Sequence, residues 1–172
     1  MDNSWLAIPE ADNFTLRKAF GKFATGVTVV ATRLENGEPR AFTANSFTSV
    51  SLDPALVLVC LLKSSGSYEE FKHASSYSIS ILANNHKDLS SAFASRDSGI
   101  KAGASRMLSD DFVPHVADCL AAFECTPYQM IDAGDHLIML GRVVRFRTAD
   151  GAPLGYFSGK YVSIENVQNT NA

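Results

Sequence analysis

The sequence predicts a single, mainly β domain: a closed antiparallel barrel with a few peripheral helices. Short apolar or alternating segments are separated by tight turn signals, among them Asn36-Gly37 and Asp150-Gly151. Strands and helices do not alternate as they do around a parallel sheet. The chain also lacks a G-x-G-x-x-G pattern, so a dinucleotide-binding Rossmann fold is not expected.

The composition is that of an ordinary globular protein. A chain of 172 residues with 46% hydrophobic and 19% charged residues can form one domain with a sizeable core. The formal net charge of −3 argues against nucleic acid as the main partner, because a phosphate-tracking surface needs a basic excess. The longest apolar run, Ala55 to Leu62, has the length of a buried strand, so we expect no membrane span.

Cysteine and histidine usage favours a reducing, cytoplasmic location and no metal. Cys60, Cys119 and Cys125 are odd in number and form no Cys-x-x-Cys pair, so neither a disulfide framework nor a zinc site is expected. The four histidines are scattered, and none forms a pair at metal-ligand spacing. The N-terminal lead, residues 1–13, has neither the basic start nor the apolar core of a secretory signal.

The first predicted element is a helix capped by Asp12 or Asn13 that packs on the sheet and ends at Thr25-Gly26. Its apolar residues at helical spacing are Leu16, Ala19, Phe20 and Phe23. A β-branched strand over Val27 to Thr32 follows. Asn36-Gly37 then predicts an antiparallel hairpin with the strand from Arg40 to Ser46, because both turn residues tolerate positive φ.

After the strand from Ala55 to Leu62, a loop leads into a short helix that ends near His73. Ser67 and Glu70 have the spacing of a capping box, so backbone N–H groups and Lys63 are expected to gather at the helix start. That arrangement predicts a phosphate seat. The alternative is a plain strand-to-helix connection.

The second half of the chain predicts more strands than helices. In order, we expect a strand from Tyr77 to Ile81, a helix from Asp88 to Ala94, a mobile loop from Asp97 to Asp111, strands over Phe123 to Ile131 and His136 to Arg147 joined by Asp132-Ala133-Gly134-Asp135, a short strand from Pro153 to Phe157, a turn at Gly159-Lys160-Tyr161, and a flexible tail, residues 166–172. Arg142, Arg145 and Arg147 are expected on a solvated sheet face.

The segment from Ala41 to Pro54 carries the clearest functional signal. Its apolar residues alternate with Ser, Thr and Asn instead of Lys, Glu or Arg, as in one strand that Asp53-Pro54 ends. A row of small hydroxyl and amide groups predicts a surface on which a flat polar ligand lies. The alternative is a Ser/Thr-rich strand of an ordinary β-barrel.

Three segments, Ala24 to Val30, Ala41 to Pro54 and Gly134 to His136, occur in an order that resembles the short-chain flavin reductase family. Members of that family are reductase components of two-component flavin-dependent monooxygenases. The resemblance runs from about Phe14 to about Val162 and assigns residues 14–165 to one domain. It implies the FMN-binding split barrel, of Greek-key type, as a homodimer with flavin near the subunit interface.

The function that this resemblance implies is NAD(P)H:flavin oxidoreductase. Such an enzyme transfers hydride from NADH or NADPH to FMN or FAD and supplies the reduced flavin to a separate monooxygenase. One alternative is a split-barrel protein that holds flavin for electron transfer or storage without nicotinamide turnover. Another is a flavin enzyme of the same barrel that acts on an organic substrate.

The resemblance also implies the site residues. The flavin ring and ribityl chain would contact Thr28, Thr43, Ala44, Asn45, Ser46, Thr48, Ser49, Ser51, Cys60 and Leu61; the phosphate would lie near Lys63, Ser65 and Ser67; and the helix end Phe93, Ala94 and Arg96 would approach the flavin. The nicotinamide side would hold Gly134, Asp135, His136, Tyr156, Phe157, Lys160 and Tyr161. His136 is assigned to cofactor positioning, and a simple pairing with Asp135 is its alternative.

Overall fold

The computed structural model of the protein describes residues 5, 7–8 and 12–165. Its strands are β1 (Thr25–Gly26), β2 (Thr28–Arg33), β3 (Pro39–Ala44), β4 (Thr48–Leu52), β5 (Ala55–Leu62), β6 (Tyr77–Ile81), β7 (Ala121–Ala133), β8 (His136–Thr148), β9 (Leu154–Phe157) and β10 (Lys160–Ser163). Its helices are α1 (Asn13–Phe20), α2 (Tyr68–Lys72), α3 (Lys87–Ala94) and α4 (Ser98–Ser105), with a 3₁₀ turn at Asn84–His86.

The strands form two antiparallel sheets. The larger sheet has seven strands in the order β3-β2-β6-β7-β8-β5-β4, and the smaller one has three in the order β1-β9-β10. Every ladder in the described part of the chain is antiparallel. This confirms a mainly β fold without strand-helix-strand units.

The larger sheet is curled, because its two end strands, β3 and β4, follow each other in the chain. Six spacings between strands would separate these ends by about 29 Å in a flat sheet. The chain from Ala44 to Thr48 can span at most about 14 Å. Within residues 12–165 no ladder joins β3 to β4, so the predicted closure of the barrel is not shown by strand pairing.

The core has two parts, one on each side of β2. Val30 packs with Phe71, Tyr77 and Met139 inside the curl of the larger sheet. Val29, the preceding residue of the same strand, belongs to the second part. That part also contains Leu82, Phe93, Val116 and Leu154, so it lies between the larger sheet, α3 and the smaller sheet. Because alternate residues of a strand point to opposite faces, β2 is buried on both sides.

Several predicted elements are confirmed. Asp12 caps α1 by accepting a hydrogen bond from the Thr15 N–H. The hairpin through Asn36-Gly37 joins β2 to β3, with Gly37 at φ +84°. Strand β5 has the predicted bounds, and β7 and β8 are joined at Gly134, which adopts φ +60°.

The prediction for α1 is wrong in two respects. The helix ends at Phe20, because the next N–H groups, those of Lys22 and Phe23, bond three residues back instead of four. Thr25 and Gly26 do not close the helix and instead pair with β9. None of the residues of α1 is buried, and Phe20 is exposed, so the helix does not pack on the larger sheet in this chain.

Three other predicted elements need correction. The strand-like alternation expected from Ala41 to Pro54 is interrupted by a turn at residues 45–47, so the segment forms two strands, β3 and β4. The expected loop from Asp97 to Asp111 contains α4, because the Asp97 carboxylate caps the helix N–H groups of Gly99 and Ile100. The turn before the last strand lies at Ser158-Gly159, which places Lys160 and Tyr161 in β10.

The expected capping box at α2 is also wrong. Ser67 occupies the N-cap position, but its side chain makes no capping hydrogen bond. The predicted tail, residues 166–172, and part of the predicted lead, residues 1–4, 6 and 9–11, lie outside the described residues. Among the helices that the structure describes, none combines the length and apolar character needed to cross a membrane.

Gly141 in β8 supports a packing prediction. A Cβ at this position would overlap the Tyr77 hydroxyl and lie 3.1 Å from Cys125 Cβ. We expect Gly141→Ala to lower the free energy of unfolding by about 1–3 kcal/mol, because the buried Tyr77 ring has to move. Urea denaturation measures the change. Gly26→Ala is the matched control, since a Cβ there meets no atom within 4 Å. Equal unfolding midpoints for the two variants would contradict the prediction.

Candidate functional site

Lys63 joins two segments that are far apart in the sequence. Its backbone N–H donates to the Asp135 carbonyl at 2.9 Å, and its Nζ donates to the Gly134 carbonyl at 2.8 Å. Nζ also lies 2.8 Å from Asp132 Oδ1. The loop after β5 and the turn between β7 and β8 are therefore one structural unit.

His136 stands at the edge of this unit. Leu62 pairs with it across β5 and β8, so the end of β5 fixes its backbone. Its Nδ1 lies 2.7 Å from Asp135 Oδ1, which is the pairing considered as the alternative to a cofactor role. The side chain is 41% exposed, and Nε2 has no hydrogen-bond partner among the described residues. One ring nitrogen is thus held while the other is available to a ligand.

Three pKa shifts describe the charges of the unit. The hydrogen bond from Lys63 lowers the pKa of Asp132, and the same contact raises the pKa of Lys63. The hydrogen bond from His136 lowers the pKa of Asp135. Both carboxylates are therefore held in their charged form beside the imidazole.

Ser46 anchors the turn at residues 45–47 to β5. Its Oγ accepts a hydrogen bond from the Cys60 N–H at 2.8 Å. The β4–β5 ladder ends at the pair Thr48 and Leu58, so this side-chain bond extends the link by two residues along β5. The turn therefore lies next to the strand that continues into Lys63.

The same turn presents unused donors. Asn45 is exposed, while Ser46 and Phe47 are half-buried. Among the described residues, none of these three N–H groups donates a backbone hydrogen bond. Thr48 and Ser49, which follow at the edge of the sheet, are exposed. A flat ligand with acceptor atoms along one edge fits this set of N–H and hydroxyl groups.

A second set of predicted residues lies around α3. Thr43 Oγ1 donates to the Ser90 carbonyl at 2.7 Å, and Ser90 Oγ lies 2.8 Å from the Tyr161 hydroxyl. Tyr161 packs edge-to-face on Tyr156 at a centroid distance of 5.5 Å. These contacts connect β3, α3 and the smaller sheet. Ser90 was not among the site residues predicted from the sequence, although a serine on the buried side of a helix is unusual.

Several of the predicted contacts are buried in this chain. Thr28 donates from its hydroxyl to the Ala44 carbonyl at 2.8 Å inside the wall of the sheet. The other buried positions are Ala44, Leu61, Ser67 and Phe93. Their side chains lie beneath the predicted flavin surface and not on it.

The remaining predicted residues are more accessible. Ser51, Cys60, Ser65 and Tyr156 are half-buried, whereas Ala94, Arg96, Phe157 and Lys160 are exposed.

The predicted phosphate seat is partly occupied by the protein's own contacts. Lys63 is already bound to Asp132 and Gly134. The Ser67 N–H donates to Ser65 Oγ at 3.3 Å. A phosphate at this loop would have to compete with these bonds.

Two clefts lie away from this surface, and no predicted site residue lines either of them. One is bounded by the outer face of β7 and β8 together with His115. The other lies between β3 and α4.

Comparison with known proteins identifies the domain type. The family model described as "Flavin reductase like domain" matches residues 20–165. The reductase component of the flavin-dependent trigonelline monooxygenase of Acinetobacter baylyi is 49% identical over 146 residues, which are 85% of this chain and 47% of that protein. The chain therefore spans about half the length of that curated relative.

Two further relatives match over nearly their whole length. The FMN reductase (NADH) SmoA of Agrobacterium fabrum is 38% identical over 162 residues, 94% of this chain and 92% of that protein. The structure of the NADH:FAD oxidoreductase SgcE6 of Streptomyces globisporus, in complex with NAD and FAD fragments, superposes with a TM-score of 0.83 at 30% identity, covering 98% of this chain and 100% of that one.

The Lys63 contacts predict a pH-dependent effect of Lys63→Met. The lowered pKa of Asp132 contributes stability that is present above 3.8 and lost as the pH falls through the folded value. The raised pKa of Lys63 contributes stability that is present below 10.5 and lost at higher pH. We therefore expect the variant to be less stable than the wild type between pH 3.8 and pH 10.5. The difference in stability should be smaller at more acidic pH.

Thermal unfolding at a series of pH values measures this effect. The matched control is Lys87→Met at an exposed position at the start of α3. A loss of stability that does not change with pH, or one equal to that of the control, would contradict the assigned ion pair.

Proposed function

The chain belongs to the family of flavin reductase like domains, and on this basis we propose that it is an NAD(P)H:flavin oxidoreductase that supplies reduced flavin to a separate monooxygenase. The observation that carries the proposal is the meeting of two surfaces at one end of the larger sheet. Within residues 12–165, the N–H groups of the turn at residues 45–47 and Nε2 of His136 have no hydrogen-bond partner. Ser46 and Lys63 attach both surfaces to β5.

We assign the flavin ring to the edge formed by residues 43–49. Small side chains at Ala44, Ser46 and Ser49 allow close approach of a ring to the backbone. Negative charge develops on the pyrimidine edge of a flavin that accepts a hydride, and fixed N–H donors stabilise such charge. The N–H groups of Asn45, Ser46 and Phe47 are donors of this kind.

The flavin supplies the electron acceptor, so the protein has to orient two rings and exclude other reactions. In the proposed reaction one hydride leaves the dihydronicotinamide and one proton comes from solvent, giving the oxidised nicotinamide and the reduced flavin. His136 positions the nicotinamide carboxamide through Nε2, while Asp135 holds Nδ1. Hydride transfer itself requires no acid from the protein, so His136 has a positioning role.

The names of the relatives support the two proposed substrates, a flavin and a nicotinamide nucleotide. SmoA is an FMN reductase that uses NADH, and SgcE6 is an NADH:FAD oxidoreductase whose complex contains NAD and FAD fragments. The trigonelline relative is the reductase component of a monooxygenase, which supports a separate oxygenase as the consumer of reduced flavin.

We also propose that the domain, residues 14–165, is a closed split barrel that functions as a homodimer. The short connection between the two end strands supports closure. Strand β4 is a sheet edge, and its Val50 and Leu52 are 47% and 96% exposed. An exposed apolar edge next to the proposed flavin surface favours coverage by a second copy. A cytoplasmic location is supported by three unpaired cysteines.

Oxidation of NADH or NADPH that depends on added flavin tests the proposed function. We expect turnover with at least one of the two nicotinamide nucleotides and with FMN or FAD. The decrease in absorbance of the reduced nicotinamide measures this turnover. Flavin that stays bound through gel filtration without any nicotinamide oxidation would instead favour an electron-transfer or storage protein. Absence of turnover with every combination would contradict the proposal.

A crossed pair of variants separates the two binding surfaces. We expect His136→Ala to raise the KM for NADH about tenfold, the effect of losing one hydrogen bond, while flavin binding changes little. Ser46→Leu should weaken flavin binding, because it removes the anchor to Cys60 and places a bulky side chain at the turn. Flavin fluorescence titration and steady-state kinetics give the two quantities. The reverse pattern would show that the two residues face the opposite ligands.

A further inference from the structure

We propose that the cleft between β3 and α4 binds a phosphate ester, the anionic group carried by nucleotides. This cleft has a volume of about 550 Å³ and is lined by Arg33, Arg40, Lys101 and Arg106, with Glu38 and Asp110 as its carboxylates. Four cationic side chains against two carboxylates give a local basic excess in a chain whose net charge is −3. The site lies apart from the proposed flavin edge, and its binding of a phosphate does not depend on the proposed function. Only the assignment of that phosphate to a flavin or nicotinamide nucleotide rests on the proposed function.

Arg33 is a structural member of the cleft. Its guanidinium lies 3.5 Å from Asp110 Oδ1 and donates to the carbonyls of Gly37 and Asp111. These contacts bring the segment after α4 onto the β2–β3 hairpin. Arg33 therefore closes one side of the cleft and uses its own donors internally.

Arg40 has a donor that the protein leaves unused. One end of its guanidinium, Nη2, lies 3.4 Å from Glu70 Oε1 of α2. Its Nε is buried and has no hydrogen-bond partner among the described residues. A buried donor without a partner is costly, and a guanidinium fork matches the oxygen atoms of a phosphate. The unsatisfied Nε thus points to an acceptor that the described part of the chain does not supply.

Lys101 adds a second cation beside Arg40. It is half-buried in α4, and within the described part of the chain its ammonium makes no ion pair or hydrogen bond. Burial is the largest cause of its lowered pKa, and the positive charge of Arg40 lowers the pKa further. Glu70, the ion-pair partner of Arg40, acts in the opposite direction on the pKa of Lys101, so a single carboxylate faces these two cations. An anion between them would relieve both the burial and the repulsion.

The position of Arg40 fits a nucleotide bound elsewhere on the same strand. Arg40 lies four residues before Ala44 in β3, which is about 13 Å along the strand. Phe42 and Ala44 are buried in the core, so a nucleotide with its ring at the turn of residues 45–47 has to follow the edge of β3 to bring a phosphate to the cleft. The phosphate could belong to a flavin nucleotide or to a nicotinamide nucleotide, and the experiment distinguishes them.

Calorimetric titration of the full chain with inorganic pyrophosphate at constant ionic strength tests the site. We expect saturable binding to the wild type, at least tenfold weaker binding to Lys101→Gln, and several-fold weaker binding to Arg106→Gln, an exposed position that leaves folding intact. Lys87→Gln, which removes a cation outside the cleft, should bind as the wild type does. Circular dichroism checks that each variant is folded.

Failure of the wild type to bind pyrophosphate would overturn the proposal, as would equal binding by the wild type, Lys101→Gln and Arg106→Gln. This readout requires no turnover, so it decides the site even if the proposed reductase activity is absent. For the source of the phosphate, weaker binding of FMN but unchanged binding of riboflavin by Lys101→Gln assigns it to the flavin. Weaker binding of NADPH but unchanged binding of NADH assigns it to the 2′-phosphate of the nicotinamide nucleotide, and equal weakening of both assigns it to their pyrophosphate bridge.

Discussion

The connection of three residues between β3 and β4 is the constraint on which the functional end of this protein depends. It joins the two end strands of a seven-stranded sheet, so the sheet has to curl until those ends are close. The turn at residues 45–47 lies in the gap, and among the described residues no backbone carbonyl accepts from its N–H groups. Ser46 extends the link between β4 and β5 by accepting from the Cys60 N–H. The topology thus leaves the N–H groups of the turn without a strand partner.

The same end of the sheet is stabilised from the other direction by Lys63. This side chain connects the loop after β5 with the turn before β8 through an ion pair and a carbonyl contact. His136 is thereby fixed opposite Leu62, two residues along β5 from the contact between Ser46 and Cys60. A hydride donor and its acceptor have to be stacked within a narrow range of distances, and two surfaces anchored to one strand suit that requirement. The buried residues Thr28 and Phe93 contribute stiffness behind this surface.

The sequence predicted the strands well because alternation and turn residues are local signals. Asn36-Gly37 and Gly134 adopt the turns that their residue types favour, and β5 is apolar throughout. Helix α4 was missed, since its glycine and serine content resembles that of a loop and only the Asp97 cap reveals the helix. The role of Lys63 could not be predicted, because its partner Asp132 is distant in the sequence and the contact exists only after β5 and β8 pair.

The most direct test of the account is a crystal structure of the protein with FMN and a non-reactive dihydronicotinamide analogue. The account predicts the flavin ring against residues 43–49, with its pyrimidine edge on the N–H groups of the turn at residues 45–47 and the nicotinamide between that ring and His136. A flavin bound elsewhere, or an edge at residues 43–49 that is sealed inside the core of the dimer, would contradict it.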